Sequence, residues 1–273
     1  MKNILVPIDF SDTSLNAINY AVSLANEFNA GLTLVHAYTG TSAFDESPEA
    51  TVHNSLEELE DANEKFLEKK MEDFSKKFTV NIDHLVKKGN PIKVINEVTQ
   101  KIKPELIIMG MKDKGESNSI FGSTTTSIID KTSIPILVIP FKTSYQAIGT
   151  VTLASDFKNE KLLSNFAILE QFVSRFNPFI QILNVQTNPS GQTAKEIADK
   201  MSAGLRWDKQ NYSFNIIKEN DIEEGINKFL NQHPADLLVM VAKEHSFIEQ
   251  VVGSSHTKKM TKQTEIPLLV LHE

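Results

Sequence analysis

The chain is written twice. "KNILVPIDFSD" at the start returns as "AIGTVTLASDFKNE" from Ala147 to Glu160, each a β-rich run ending in Asp-Phe (Asp9-Phe10 and Asp156-Phe157). "PELIIMG" from Pro104 to Gly110 returns as "ADLLVMV" from Ala235 to Val241, and "IFGSTTT" from Ile120 to Thr126 as "VVGSSHT" from Val251 to Thr257. "TSIPILVIP" returns as "TEIPLLVLH", ending at His272. Four matches in one order, offset by about half the length, describe two copies of a single supersecondary plan. With 273 residues, each copy has enough chain to bury its own core. The boundary is expected near Thr143-Ser144-Tyr145, giving domains 1–143 and 144–273.

Each copy alternates strand and helix. Ile4–Ile8 reads as a short buried strand, and Ser11 or Asp12 can cap a helix whose apolar face is Ala17, Ala21, Leu24 and Phe28. "GLTLVHA" is the next strand, and a polar segment leads to a helix carrying Leu67, Met71, Phe74 and Phe78 on one face. "TVNIDHLV" alternates as a strand does, and Asn90-Pro91 opens a helix striped by Ile92, Ile95 and Val98. Strands apolar at consecutive positions, separated by helices, indicate a parallel sheet covered on both faces. The expected fold is α/β: two tandem doubly wound domains, each a mainly parallel sheet of about five strands. Such sheets bind ligands beyond the carboxyl ends of their strands, and Asp9, Gly110 and Gly122 all fall at or just after such ends.

The residues now bear a likeness. "ILVPIDFSDTSLNAINYAVSLA", "LTLVHAY", "VKKGNPIKVI" and "IIMG…GS…SIPILVIP" resemble the universal stress protein family in its tandem two-domain form, over nearly the whole chain. The resemblance implies an adenine nucleotide alpha hydrolase-like fold. It also implies that some members bind ATP through a loop of Gly, two residues, Gly, nine residues, Gly, then Ser or Thr. Glycine lets backbone amides approach a triphosphate, and a helix N-terminus offers unpaired N–H groups and a positive dipole end. Carried over, Gly110 matches the first glycine and Gly122-Ser123 the final pair, with Thr124 following and Met109 preceding the loop. Asp113 stands at the middle glycine and the loop is one residue short; Lys112, Lys114 or Mg²⁺ would have to offset that carboxylate, and Gly115 lies close by. The likeness assigns Asp9 to the nucleotide ribose, Pro7 and Ile8 to its neighbourhood, and Ala37 to the base. It implies further that Ile136–Ile139 and Leu268–Leu271 pair edge to edge within the chain, with a homodimer also compatible.

The second copy departs further. Val241 or Ala242 replaces Gly110, "AKEHSFIEQVV" has no glycine before Gly253, and Ala154-Ser155 precedes Asp156. This copy reads as degenerate. A structural reading stands beside the functional one throughout. Gly122-Ser123-Thr124 is also a helix N-cap, and Asp9 is also a cap for the helix after it.

Other chemistry is excluded or unsupported. A formal net charge of −7 repels a nucleic-acid backbone and leaves no polybasic patch for a membrane surface. With no cysteine there are no disulfides or thiolate ligands, and no apolar run nears the roughly 20 residues of a membrane span, so a cytoplasmic protein is expected. The histidines share no metal-ligand spacing, no metal site is expected, and Trp207 reads as packing at a helix end. His245-Ser246 and Ser254-Ser255-His256 lack a Gly-x-Ser-x-Gly elbow. "SLEELEDANEKFLEKKMEDF" reads as a solvated helix face. No catalytic base or nucleophile is apparent. The sequence therefore points to a regulatory stress protein that binds ATP, or a related adenine nucleotide with or without Mg²⁺, in its first domain. It does so without significant turnover, slow hydrolysis being left open. The alternative is a stress-protein scaffold acting through protein contacts with no nucleotide.

Overall fold

The computed structural model describes residues 1–40, 56–111, 123–157, 166–187, 196, 211–242 and 266–272. Packing divides the chain into two compact units, Met1–Met109 and Gly110–Glu273.

In the first unit the strands are β1 (Asn3–Ile8), β2 (Gly31–Tyr38), β3 (Ile82–Lys88) and β4 (Leu106–Met111, of which the last two residues enter the second unit). β1 pairs in parallel with β2 and with β4, and β2 with β3, so the spatial order is β3-β2-β1-β4. β1 is wholly apolar at its centre, with Ile4, Leu5 and Val6 out of contact with solvent. A strand buried on both faces needs helices on both, and parallel pairing needs a crossover long enough to hold one. The crossovers are α1 (Asp12–Phe28), α2 (Leu56–Ser75) and α3 (Pro91–Ile102).

The helix ends follow local chemistry. Ser11, extended, accepts the Ser14 N–H through its hydroxyl and is the N-cap of α1, while Asp12 lies in the first turn. Asn29 ends the same helix in the left-handed conformation. Asn90 caps α3, its side-chain oxygen accepting the N–H groups of Ile92 at 3.1 Å and Lys93 at 3.3 Å, with Pro91 in the first turn, where a missing N–H costs nothing. Each such cap contributes about 1 kcal/mol. Two expected stripes differ in detail. Leu67 and Met71 are buried, but α2 stops at Ser75 and Phe78 falls in the turn beyond it. In α3, Ile95 and Val98 are buried while Ile92 is only half so, and Val94 takes its place.

The second unit contains α4 (Ser123–Lys131), β5 (Ile136–Pro140), β6 (Thr150–Ala154), α5 (Ala167–Phe176), β7 (Phe179–Gln186), β8 (Tyr212–Lys218), α6 (Ile222–Gln232), β9 (Leu237–Ala242) and β10 (Leu268–His272). β6 pairs in parallel with β7 and β9, β7 with β8, and β9 with β10. The order β8-β7-β6-β9 repeats β3-β2-β1-β4, which is the duplicated plan in three dimensions. β10 also pairs antiparallel with β5, Leu268 facing Val138 and Val270 facing Ile136, as the family resemblance implies. That pairing, with the His272 Nε2–Ile129 carbonyl contact at 2.8 Å, draws α4 and β5 into the second unit. The compact units therefore part at Gly110, whereas the repeat in the sequence parts near Thr143.

Candidate functional site

The carboxyl edge of the first unit is built from β1, β2 and β4. Ile8 is the register partner of His36, so Asp9 and Ala37 are the next residues along their strands, and β4 runs parallel to β1 toward Met109. Ile8 and Met109 are buried, Pro7 and Ala37 half-buried, and Asp9 exposed. The structure thus brings Pro7, Ile8, Asp9, Ala37 and Met109 to one rim.

Asp9 is held in place by the turn that starts α1. Its Oδ1 accepts both the Ser11 N–H at 3.0 Å and the Ser11 hydroxyl. Crowding by neighbouring atoms pushes the carboxyl up, but the bonds from the Ser11 hydroxyl, the Ser11 N–H and the Ser14 hydroxyl outweigh it and leave the pKa below the ordinary aspartate value. Asp9 is therefore a fixed carboxylate, an acceptor aimed from the end of β1. A carboxylate has about four lone-pair positions, so the Ser11 contacts leave capacity for a ligand hydroxyl.

Phe10 follows in the left-handed region, with φ 61°, where a bulky side chain is uncommon. Its ring centroid lies 5.1 Å from that of His36. His36 Nδ1 is 2.8 Å from the Ile8 carbonyl oxygen, which can only accept, so Nδ1 carries the proton. Burial, with the nearby Lys70 charge, pushes the imidazole pKa down against the pull of the Ile8 carbonyl and Asp9, so the ring is neutral at neutral pH.

In the second unit, Gly110 is half-buried and its carbonyl oxygen accepts the Thr125 hydroxyl at 3.5 Å. Thr125 is buried in the first turn of α4 and Thr124 is half-buried. The first amides of any helix lack intrahelical acceptors. Gly122, Asp113, Gly115, Lys112 and Lys114 lie outside the described residues, and Ser123 opens α4 with a side chain that is likewise outside them. The same holds for His53, Trp207, His245, His256 and the second-copy loop through Gly253. Among the described residues no group of three His, Cys, Asp or Glu could hold a metal, and no helix is long and apolar enough to cross a membrane.

The second copy keeps the scaffold and changes the surface. Phe157, after Asp156, is also left-handed, with φ 50°. Asn184 occupies on β7 the place of His36 on β2, and its Nδ2 donates to the Ser155 carbonyl at 3.0 Å, as His36 does to Ile8. These two polar residues were missed as site-builders. The signal available was a polar, hydrogen-bonding side chain at the sixth position of both strands, "GLTLVHAY" and "FIQILNVQ". One step on, β7 carries Val185 where β2 carries Ala37, and α6 carries Gly225 where α3 carries Val94, counting from the caps Asp221 and Asn90. Volume has moved from helix to strand between the copies, and the small residue at the rim of β2 is lost on β7.

Comparison with known proteins agrees with this layout. The model of the universal stress protein family matches residues 1–140 and 187–272. A universal stress protein of Methanocaldococcus jannaschii is 30% identical over 139 residues, 50% of this chain and 81% of its own length. One from Helicobacter pylori is 28% identical over 137 residues, 50% of this chain and 98% of its own. The crystal structure of a universal stress protein from Archaeoglobus fulgidus superposes with a TM-score of 0.74 at 14% identity, covering 99% of this chain and 98% of that one. That likeness bears on the fold, including its tandem form.

Proposed function

The chain belongs to the universal stress protein family, and from that premise we propose that its first copy, residues 1–143, binds ATP or a related adenine nucleotide and does so as a regulatory element rather than as an enzyme. The observation that carries the reading is Asp9: an exposed, ionised carboxylate fixed by Ser11 at the end of β1, one strand from the small Ala37. Asp9 would accept ribose hydroxyls and Ala37 with Pro7, Ile8 and Met109 would border the base, while the family resemblance assigns the phosphates to Gly110, Ser123 and Thr124. The donor set suits such a group, since carboxylate-to-hydroxyl bonds are charge-assisted and helix N-termini favour anions. Any Mg²⁺ would be carried by the phosphates, because the described residues include no acidic cluster to hold it. Val185 in place of Ala37 supports confining the nucleotide to the first copy. His36, whose imidazole feels the Asp9 charge, has its Nδ1 committed to the Ile8 carbonyl, which supports occupancy without rapid turnover. A cytoplasmic setting and a homodimer belong to the same reading.

Calorimetric titration of ATP with Mg²⁺ into wild type, Asp9→Ala and Gly122→Val tests it. Saturable binding weakened by Asp9→Ala about tenfold to a hundredfold, the range of a charge-assisted hydrogen bond, is expected. Absence of heat at millimolar nucleotide would favour a scaffold acting through protein contacts. Binding that survives both substitutions unchanged would put the ligand elsewhere.

A further inference from the structure

Helix α2 has two faces, and only one of them belongs to the core. Asn63, Leu67 and Met71 are buried, in line with the packing of α2 on the sheet. The adjoining face borders a cleft of about 980 Å³ that lies wholly in the first unit. This volume is at the upper end of small-molecule pockets. Phe10, Leu15, Ala62, Phe66 and Phe74 give it an apolar lining. Lys65, Lys69, Lys70 and Lys77 stand around it, with Asp73 the single carboxylate among the described residues of its wall. None of the four lysines forms an ion pair among the described residues, although the chain as a whole carries −7. By contrast, Lys76 bridges Glu72, Lys87 bridges Glu97 and Lys88 bridges Glu60.

Two of these exposed lysines rest on the aromatic lining. Lys70 Nζ sits 4.1 Å from the centroid of the Phe10 ring and Lys77 Nζ 5.7 Å from that of Phe74. The left-handed backbone at Phe10 sets its ring against Phe74, edge to face, at 6.1 Å. A non-glycine residue in that conformation costs on the order of 1 kcal/mol or more and persists where surroundings fix it. With Lys70 on one face of Phe10 and Lys77 toward one face of Phe74, less ring face is open to stacking, and ring edges, Leu15 and Ala62 make up much of the apolar lining. Such a surface suits a saturated chain better than a stacked aromatic, and the lysines suit an acid head.

From the lining charge and the apolar floor we infer that the α1–α2 cleft is a binding site for a small anionic amphiphile, a carboxylate on an alkyl chain. It is separate from the proposed nucleotide site and does not rest on it. The head would displace Lys69 and Lys70 from solvent and from the Phe10 face, and the alkyl body would cover Phe66, Phe74 and Leu15.

The test is calorimetric titration of sodium dodecanoate, below its micelle concentration, into the full chain. One equivalent should bind saturably, dodecanol should bind at least tenfold more weakly, and Lys69→Ala/Lys70→Ala should weaken dodecanoate at least tenfold. Lys101→Ala on α3, outside the cleft, should change nothing. All of these lysines are exposed, so the variants are expected to fold, and circular dichroism checks it. Saturating ATP should leave the dodecanoate affinity unchanged whether or not ATP itself binds. The inference is overturned by no saturable binding at 1 mM dodecanoate, by affinity indifferent to Lys69→Ala/Lys70→Ala, or by stoichiometric displacement by ATP.

Discussion

Asp236 fastens the start of β6 to the start of β9 through one atom: its Oδ2 accepts the Thr150 N–H at 2.8 Å and, beside it, the Gly149 N–H at 2.9 Å. Glu105 holds the equivalent place in the first copy, accepting the Lys2 N–H at 2.6 Å ahead of β4. An acidic residue one position before the fourth strand thus supplies acceptors where the first strand begins and its neighbour has not yet started to pair. Asp236→Ala is expected to leave two backbone donors without a protein acceptor and to cost about 1–3 kcal/mol. Urea denaturation should show a lower midpoint with an unchanged slope. An unaltered midpoint would mean that water serves these donors as well as the carboxylate does.

Stability should fall as the solution is acidified below neutrality. Burial holds the His36 and His272 pKa values below their ordinary 6.5, each against the opposing pull of a backbone carbonyl, Ile8 for one and Ile129 for the other. The folded chain therefore binds these protons less readily than the unfolded chain. The stabilisation is complete above pH 6.5 and is lost as pH drops from there through the folded pKa values. Asp9, lowered from 3.8, extends the loss to more acidic solutions. Denaturation midpoints measured at pH 8, 6 and 5 should decline in that order. His36→Asn, the residue that the second copy uses, should flatten part of the decline, and a profile as steep as wild type would remove His36 as its source.

Gly225→Ala separates two opposing effects. Alanine is favoured over glycine in a helix by about 1 kcal/mol. Yet a Cβ here would lie 2.5 Å from Val185 Cγ1 and 3.0 Å from its Cγ2, and a valine has little freedom to turn away. Overpacking of this kind costs about 1–3 kcal/mol, so the variant should be the less stable. Adding Val185→Ala, which installs on β7 the residue found on β2, should recover most of the loss. A Gly225→Ala chain more stable than wild type would show that α6 shifts freely over β7.

Much of this was legible in the sequence because it depends on local chemistry that repeats. Pro91 after Asn90, the Asp-Phe pairs and the apolar strands fix caps, rims and pairing order with few alternatives. The placement of Asp9 and Gly110 at strand ends followed from a parallel sheet, whereas Ala37 and Met109 were marked by the family resemblance alone. Other features required distance information. That Glu105 and Asp236 serve N–H groups some 90 residues away in sequence, or that His36 and Asn184 brace a carbonyl beside the rim, follows from register rather than from residue type. The lysines of α2 read as an ordinary wetted face, since a periodicity cannot tell that Phe10 would arrive from another element to roof part of it. The pairing of β5 with β10 was implied by the family resemblance alone, because a strand's partner across the sheet is not written beside it.

The antiparallel zip of Ile136–Val138 onto Leu268–Val270 has a consequence for dilution. Two separate chains could make such a contact only at concentrations above their dissociation constant, whereas a covalent tether supplies an effective concentration on the order of millimolar at any expression level. Joined in this way, the two edges are no longer obliged to be alike. One can drift so long as the other answers it, a freedom denied to identical strands meeting across a symmetry axis.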